Sequence, residues 1–343
     1  LAKEKTIMKN AFNALLRKGV WLALHLYFKK IAVYGKENLP KGKAVLIVAN
    51  HQNALIDPIL IATHTQLKPH FLTRASAFKN PIAAKLLDFI RMIPIYRVRD
   101  GIDNMAKNQE TFEKSVKILS NKGSLLIFGE GNHDMHRSLR PLKKGFARIA
   151  FQTIDENPDL ELLILPIGIN YSNHKKSGSQ VSIYIGEAFP ANDFYPKNYE
   201  GIIKETTDRL GPLVTHVPRE NYSQWLALLG KNRIDITDPE SVKKFIENQK
   251  LSQETEPAFS PYFTNKVMKV FHFPVYWIWL WIKGKIKDPT FTATFKFVIG
   301  LVFVPLWYLF IFTGFPSLGW GSWALPWAFL GILYLLSNTN GQA

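Results

Sequence analysis

Residues 44–58 read Ala-Val-Leu-Ile-Val-Ala-Asn-His-Gln-Asn-Ala-Leu-Ile-Asp-Pro, an apolar run that stops abruptly at a polar loop holding His51 and, six residues on, Asp57. A short β-branched run bounded by turn residues is the mark of a buried strand. Upstream, Ile31–Tyr34 forms a second such run, set off by Gly35, Pro40 and Gly42. Downstream, Leu125–Phe128, Leu162–Ile169 and Val181–Ile185 read as further buried strands, while Ile59 onward, Ala83–Arg91 and Met105–Leu119 carry apolar residues at helical spacing. Strands alternating with helices predict an α/β fold, a mostly parallel sheet flanked by helices. From Asn198 to Gln253 the pattern turns helical and polar, and no internal repeat is visible.

The chain of 343 residues, 47% hydrophobic, is long enough for one substantial core and additional segments. It holds no cysteine, which excludes a disulfide framework, a thiolate metal site and a cysteine nucleophile. A net charge of +16 suits nucleic acid, an anionic membrane or an acidic substrate. The distribution of charge chooses among them. After Lys296 there is no Lys, Arg, Asp or Glu, and Phe297–Phe315 is apolar enough and long enough to cross a bilayer. Trp320–Leu336 is a second, shorter apolar run, so the pair predicts a membrane hairpin interrupted by Pro305, Pro316 and Pro326. Nucleic acid is not expected as a partner, because the aromatic residues concentrate in this charge-free tail.

Val270–Ile282 is too short to span and rich in Trp, which places it at the headgroup level, with a buried core helix as the alternative. Lys283, Lys285 and Lys287 follow at once and orient the body of the protein towards the cytoplasm. At the other end, Val20–Phe28 is flanked by Arg17, Lys18, Lys29 and Lys30 and predicts an amphipathic helix lying in the membrane plane. The expected organisation is residues 1–30 as this helix, 31–250 as the catalytic domain, 251–265 as a linker and 266–343 as interfacial segment and hairpin. The catalytic part is expected to fold without the hairpin.

Four segments carry candidate chemistry. His51 follows a strand end, where ligand sites of α/β sheets collect, and Asp57 could fix its tautomer; a capping loop with an incidental histidine is the plainer reading. In Ile93–Arg99, Arg97 and Arg99 lie two residues apart on an extended stretch, on one face, able to hold a phosphate or simply solvated. Leu125–Phe128 runs into Gly129-Glu130-Gly131-Asn132-His133, where glycines let backbone approach a ligand and Glu130 could bind a hydroxyl or order the arginines. Leu163–Gly168 is a strand containing Pro166, which suits a bulge or an edge. His133 and His136 lack a third convergent ligand, so no metal is expected, and no Gly-x-Ser-x-Gly elbow appears.

In this order and spacing the four segments, with Gly35-Lys36-Glu37-Asn38-Leu39-Pro40 ahead of them, resemble the glycerolipid acyltransferase family of glycerol-3-phosphate and lysophosphatidic acid acyltransferases, over about Tyr34 to Gly186. The resemblance implies His51 as general base and Asp57 as its orienting partner. It further implies Arg97 and Glu130 with Gly131 at the acceptor's phosphate, and Pro166 shaping the acyl-donor site. Arg99, Lys143 and Lys144 are further candidates for the phosphate. The implied reaction moves a fatty acyl group from acyl-CoA or acyl carrier protein, as co-substrate rather than bound cofactor, to the hydroxyl of a glycerophosphate lipid. Glycerol 3-phosphate or an aminolipid is the alternative acceptor within the family, and a catalytically silent lipid-binding protein is the alternative of another class.

Two departures stand out. Five residues, Gln52–Ile56, separate His51 from Asp57 where the family has four, and in a regular helix the two side chains would diverge by about 120°. An irregular turn at His51–Asn53, or another partner for the histidine, is therefore expected. Gly129 replaces the family's proline before Glu130, which predicts a looser backbone there. The continuation to Gly145 is closer to the glycerol-3-phosphate branch of the family.

Overall fold

A computed structural model describes residues 2–96, 107–248 and 270–337 of the chain. Arg97, Arg99 and the expected linker at 251–265 lie outside the described residues. The strands are β1 (Lys30–Tyr34), β2 (Ala44–Ala49), β3 (His70–Arg74), β4 (Met92–Ile95), β5 (Ser124–Phe128), β6 (Leu162–Tyr171), β7 (Gln180–Ile185) and β8 (Phe189–Pro190). They form one sheet in the order β1-β7-β6-β2-β5-β3-β4, with β8 paired to β6. Pairing is parallel throughout except where β6 meets β7 and β8, so the sheet is mixed but mostly parallel.

β2 is buried at every residue because both faces are covered. Ala44, Leu46 and Val48 enter one core, while Val45, Ile47 and Ala49 enter the other, as the period of two requires. The first face is covered by α4 (Lys107–Ser120), α5 (Gly145–Glu156) and α6 (Tyr199–Leu210) through Leu119, Phe146 and Ile202. The opposite face is covered by α1 (Ala2–Tyr27) and α2 (Ile56–His64) through Leu24, Leu60 and Ile61. α3 (Pro81–Phe89) leads into β4, and α7 (Tyr222–Lys231) and α8 (Pro239–Asn248) bury a small core of their own around Trp225 and Val242.

β3 has no counterpart in the strands read from the sequence. Its residues, His-Phe-Leu-Thr-Arg, are all partly or fully exposed, so the segment lacks the apolar run by which buried strands announce themselves. α1 runs as one helix from Ala2 to Tyr27. Its last turn is tied into the core by Leu24, and Phe28 follows it there, whereas Phe12, Leu15, Trp21 and Leu22 remain exposed.

At the C-terminus, α9 (Phe273–Lys283) precedes a helical hairpin, α10 (Thr292–Ser317) and α11 (Gly321–Ser337). Pro289–Ser317 is long and apolar enough to cross a membrane, and only 17% of its most apolar window is buried inside the protein. Such an exposed apolar surface needs a non-aqueous surround. The two arms hold each other through Ile311, Phe315, Ala324 and Ala328, and the indoles of Trp307 and Trp327 both donate to the carbonyl of Phe271. The hairpin's root is part of the sheet-covering core, since Ala293 and Phe297 pack with Leu24, Phe28 and Ile183. The expectation that the catalytic part folds without this segment meets a physical objection here: removing the root would uncover that core.

Candidate active site

The register of the sheet brings the first and third sequence blocks together. Ala49 at the end of β2 is paired with Phe128 at the end of β5, so His51 and Glu130, each two residues beyond, emerge side by side. Asn50 fixes the exit from β2. Its side-chain amide donates to Ile169 O at 2.9 Å and accepts from Ile169 N at 2.8 Å, prolonging the pairing with β6 while the main chain turns away.

Beyond Asn50 the chain is irregular until α2 begins at Ile56, which places Asp57 in its first turn. The carboxylate folds back over the loop. Oδ2 accepts the N–H groups of Gln52 (2.9 Å) and Asn53 (2.7 Å) and the Nδ1–H of His51 at 2.8 Å. The extra residue between histidine and aspartate is thus absorbed by a non-helical turn, and the negative charge lies at a helix N-terminus, where the dipole favours it. With Nδ1 donating, neutral His51 carries its lone pair on Nε2. The imidazole stacks flat on Phe128, ring centres 3.8 Å apart, and His133 meets it edge-on at 5.5 Å.

Glu130 is buried and belongs to Arg140. Oε2 accepts from Arg140 Nη2, Oε1 accepts from the backbone N–H of Arg140 at 3.2 Å, and Oε2 also faces the N–H of His51 at 3.4 Å. Burial raises the carboxyl's pKa, and Arg140 pulls part of that back. Arg140 also donates to the side chain and carbonyl of Asn132. The third block therefore supplies its own arginine from ten residues downstream. Nothing in the local spacing singles Arg140 out from the neighbouring cations Arg137 and Lys143.

Gly131 has a φ of +79°, and the Lys143 side chain passes over it, within 3.5 Å of where a Cβ would lie. Gly129 is not loose. Lys143 N donates to its carbonyl at 2.7 Å, and a Cβ there would meet Leu142 Cδ2 at 2.9 Å and Val48 Cγ1 at 3.1 Å, so close packing explains the missing side chain. Around Glu130, an open cavity of roughly 430 Å³ is lined by Asn132, Ser138, Leu139, Arg140, Pro141, Lys143 and Arg219. It is cationic and adjoins His51.

Pro166 lies in the interior of β6, level with Val48. Its carbonyl accepts from Gly186 N at 3.0 Å, at the point where β6 changes neighbour from β7 to β8. No strand N–H is needed there, so the proline sits at a local edge inside a central strand. β4, which leads towards Arg97 and Arg99, is the edge strand and is separated from β5 by β3. Three further residues reach the site through the tertiary fold. Tyr171 at the end of β6 donates its hydroxyl to Asp57 Oδ1. Asp288, just before α10, accepts from His133 Nε2 at 3.3 Å, and Phe291 meets the His133 ring edge-on. No cluster of three or more His, Cys, Asp or Glu able to hold a metal occurs among the described residues.

A mostly parallel α/β sheet joined to an apolar hairpin defines the class: a membrane-associated α/β domain carrying a histidine–aspartate pair at the sheet's carboxyl edge. The family model described as Acyltransferase matches residues 30–170 of this chain. Glycerol-3-phosphate O-acyltransferase 2 of Saccharomyces cerevisiae is 29% identical over 133 residues, which cover 39% of this chain and 17% of that protein. The 1-acyl-sn-glycerol-3-phosphate acyltransferase of Borreliella burgdorferi is 28% identical over 202 residues, 56% of this chain and 75% of that one. The crystal structure of PlsC, the 1-acyl-sn-glycerophosphate acyltransferase of Thermotoga maritima, aligns over 60% of this chain and 81% of its own, with a TM-score of 0.44 and 20% identity. The chain thus spans less than a fifth of the yeast protein and three quarters of the Borreliella one.

Proposed function

We propose that this protein transfers a fatty acyl group from acyl-CoA or acyl carrier protein to the free hydroxyl of a glycerophosphate lipid, converting 1-acylglycerol 3-phosphate to phosphatidic acid. The observation that carries this reading is the His51–Asp57 pair, 2.8 Å apart, opening beside the cationic cavity of Glu130, Arg140 and Lys143. His51 Nε2 takes the proton as the hydroxyl oxygen attacks the thioester carbonyl. A C–O bond forms, the C–S bond breaks, and the proton passes to the departing thiolate. Asp57 holds the tautomer and offsets the charge of the imidazolium. Glu130 keeps Arg140 in place, so that Arg140, Lys143 and Arg219 present positive charge to the acceptor's phosphate, with Arg97 and Arg99 as further contributors. Pro166 contributes to the acyl-donor side by shaping β6. The hairpin and the exposed apolar residues of α1 hold the body at the bilayer, on the cytoplasmic face that the lysines after α9 select.

Glycerol 3-phosphate is the second acceptor to consider, because the yeast relative is named for that substrate. Transfer from a radiolabelled acyl thioester, assayed side by side on lysophosphatidate and glycerol 3-phosphate, decides between them. Product from neither acceptor, in protein that binds membranes, would leave a lipid-binding role.

A further inference from the structure

Lysines from three separate stretches of chain meet at the foot of the hairpin. Lys175 and Lys176 stand exposed on the turn between β6 and β7, which Asn173 Oδ1 shapes by accepting the N–H of both, at 2.9 and 3.0 Å. Lys283 closes α9, one helical turn beyond Trp279 and so on the same face. Lys296, near the start of α10, donates from Nζ to the carbonyl of Lys175 at 2.6 Å and stands 5.1 Å from the centre of the Trp279 ring. Lys296 therefore pins the β6–β7 turn, α9 and α10 to one another. Among the described residues none of these four lysines pairs with a carboxylate, and the acid closest in sequence to Lys283, Asp288, is engaged by His133.

Cations gathered by folding, without an acid among them, repel one another unless an anion is supplied from outside. The surroundings say what kind of anion. On the same helix as Lys283, Trp281 is 67% exposed with the Lys285 ammonium over its ring, and the charge-free stretch of the hairpin begins directly after Lys296. Indoles with lysine heads at the base of an apolar helix define the headgroup level of a bilayer. We propose that Lys175, Lys176, Lys283 and Lys296 form a binding site for the phosphate head group of an anionic phospholipid of the surrounding membrane. The turn and α10 both touch the catalytic loop, since Asn53 Nδ2 donates to His174 O in the turn at 3.0 Å and Leu55 N donates to Thr294 Oγ1 in α10 at 3.2 Å. A lipid held there sets the level of His51 relative to the bilayer surface.

The test uses the full chain in detergent and native mass spectrometry with phosphatidylglycerol or phosphatidylcholine of identical acyl chains. The parent should retain phosphatidylglycerol in preference to phosphatidylcholine. The triple variant Lys176→Gln, Lys283→Gln, Lys296→Gln should lose that preference, by about fivefold for each lysine, and Lys→Arg at the same positions should keep it. The single change Lys176→Gln, at an exposed turn, gives a reading even if the triple variant folds poorly. Equal retention of the two lipids by the parent, or an unchanged preference in folded Gln variants, would overturn the proposal. So would displacement of phosphatidylglycerol by coenzyme A together with a raised KM for acyl-CoA, which would assign the lysines to the acyl donor. Because lipid retention is read without turnover, the result is independent of the reaction proposed above.

Discussion

Tyr171 donates its hydroxyl hydrogen to Oδ1 of Asp57, and both side chains are wholly buried. The second carboxylate oxygen is shared by His51 and two backbone N–H groups, so the buried Asp57 carboxylate accepts four hydrogen bonds in all. Burial, with Asp57 as a further contributor, pushes the Tyr171 phenol well above its ordinary value, which keeps it a donor at every working pH. Tyr171→Phe removes one of the four donors to Asp57. It should lower kcat for transfer while leaving the acceptor's KM near the parental value, with a stability loss of roughly 1–2 kcal/mol. Lower stability with a parental kcat would make Tyr171 a packing residue only.

His51→Ala should lower transfer at least about a hundredfold, the lower end for loss of a general base, with folding and membrane association retained. Asp57→Asn should be comparably severe, because the amide cannot accept from two backbone N–H groups and His51 while also offsetting the imidazolium. Thioester turnover with near-parental kcat in either variant would remove the pair from the mechanism.

Glu130 titrates with a definite sign. Its pKa is raised in the folded chain, first by burial, so its contribution is most favourable below the ordinary value of 4.5 and is lost as pH rises towards the raised value. Glu130→Gln should flatten that part of the stability profile in thermal melts from pH 4 to 7. Loss of the bond to Arg140 should cost on the order of 2 kcal/mol and raise the acceptor's KM more than it lowers kcat. A profile as steep as the parent's would assign the slope to other carboxylates.

Phe297 ties the hairpin to the sheet, with a side chain almost fully removed from solvent. Phe297→Ala should destabilise the protein by about 3–5 kcal/mol, and truncation after Lys287 should yield protein with a lower melting temperature or none in the soluble fraction. Full stability of the truncated chain would show that the sheet's second face closes without the root.

Gly129→Ala should be unfavourable by roughly 1–3 kcal/mol, since the added Cβ runs into Leu142 and Val48. Denaturant unfolding measures it. A neutral result would mean that flexibility, rather than packing, is what the glycine provides.

The sequence by itself determined the class of fold, through the apolar runs of β2, β5, β6 and β7, because strands buried on both faces favour apolar residues at nearly every position and admit a polar one only where it is hydrogen-bonded, as Ser182 and Asn170 are. It also marked His51, Asp57 and Glu130 as candidates, since each stands at or just past the end of such a run, and it marked the hairpin by the absence of charge after Lys296. The tertiary structure alone decided who meets whom. The Ala49–Phe128 register set His51 beside Glu130, an irregular turn closed the longer gap to Asp57, and Glu130 found a partner in Arg140. Tyr171 reached Asp57 across 114 residues, and Asp288 reached His133 across 155. β3 and the buried root of the hairpin were equally hidden. Periodicity reports how a segment lies against its own two faces, whereas contacts between distant segments depend on strand order, register and the direction of each side chain, which local spacing does not encode.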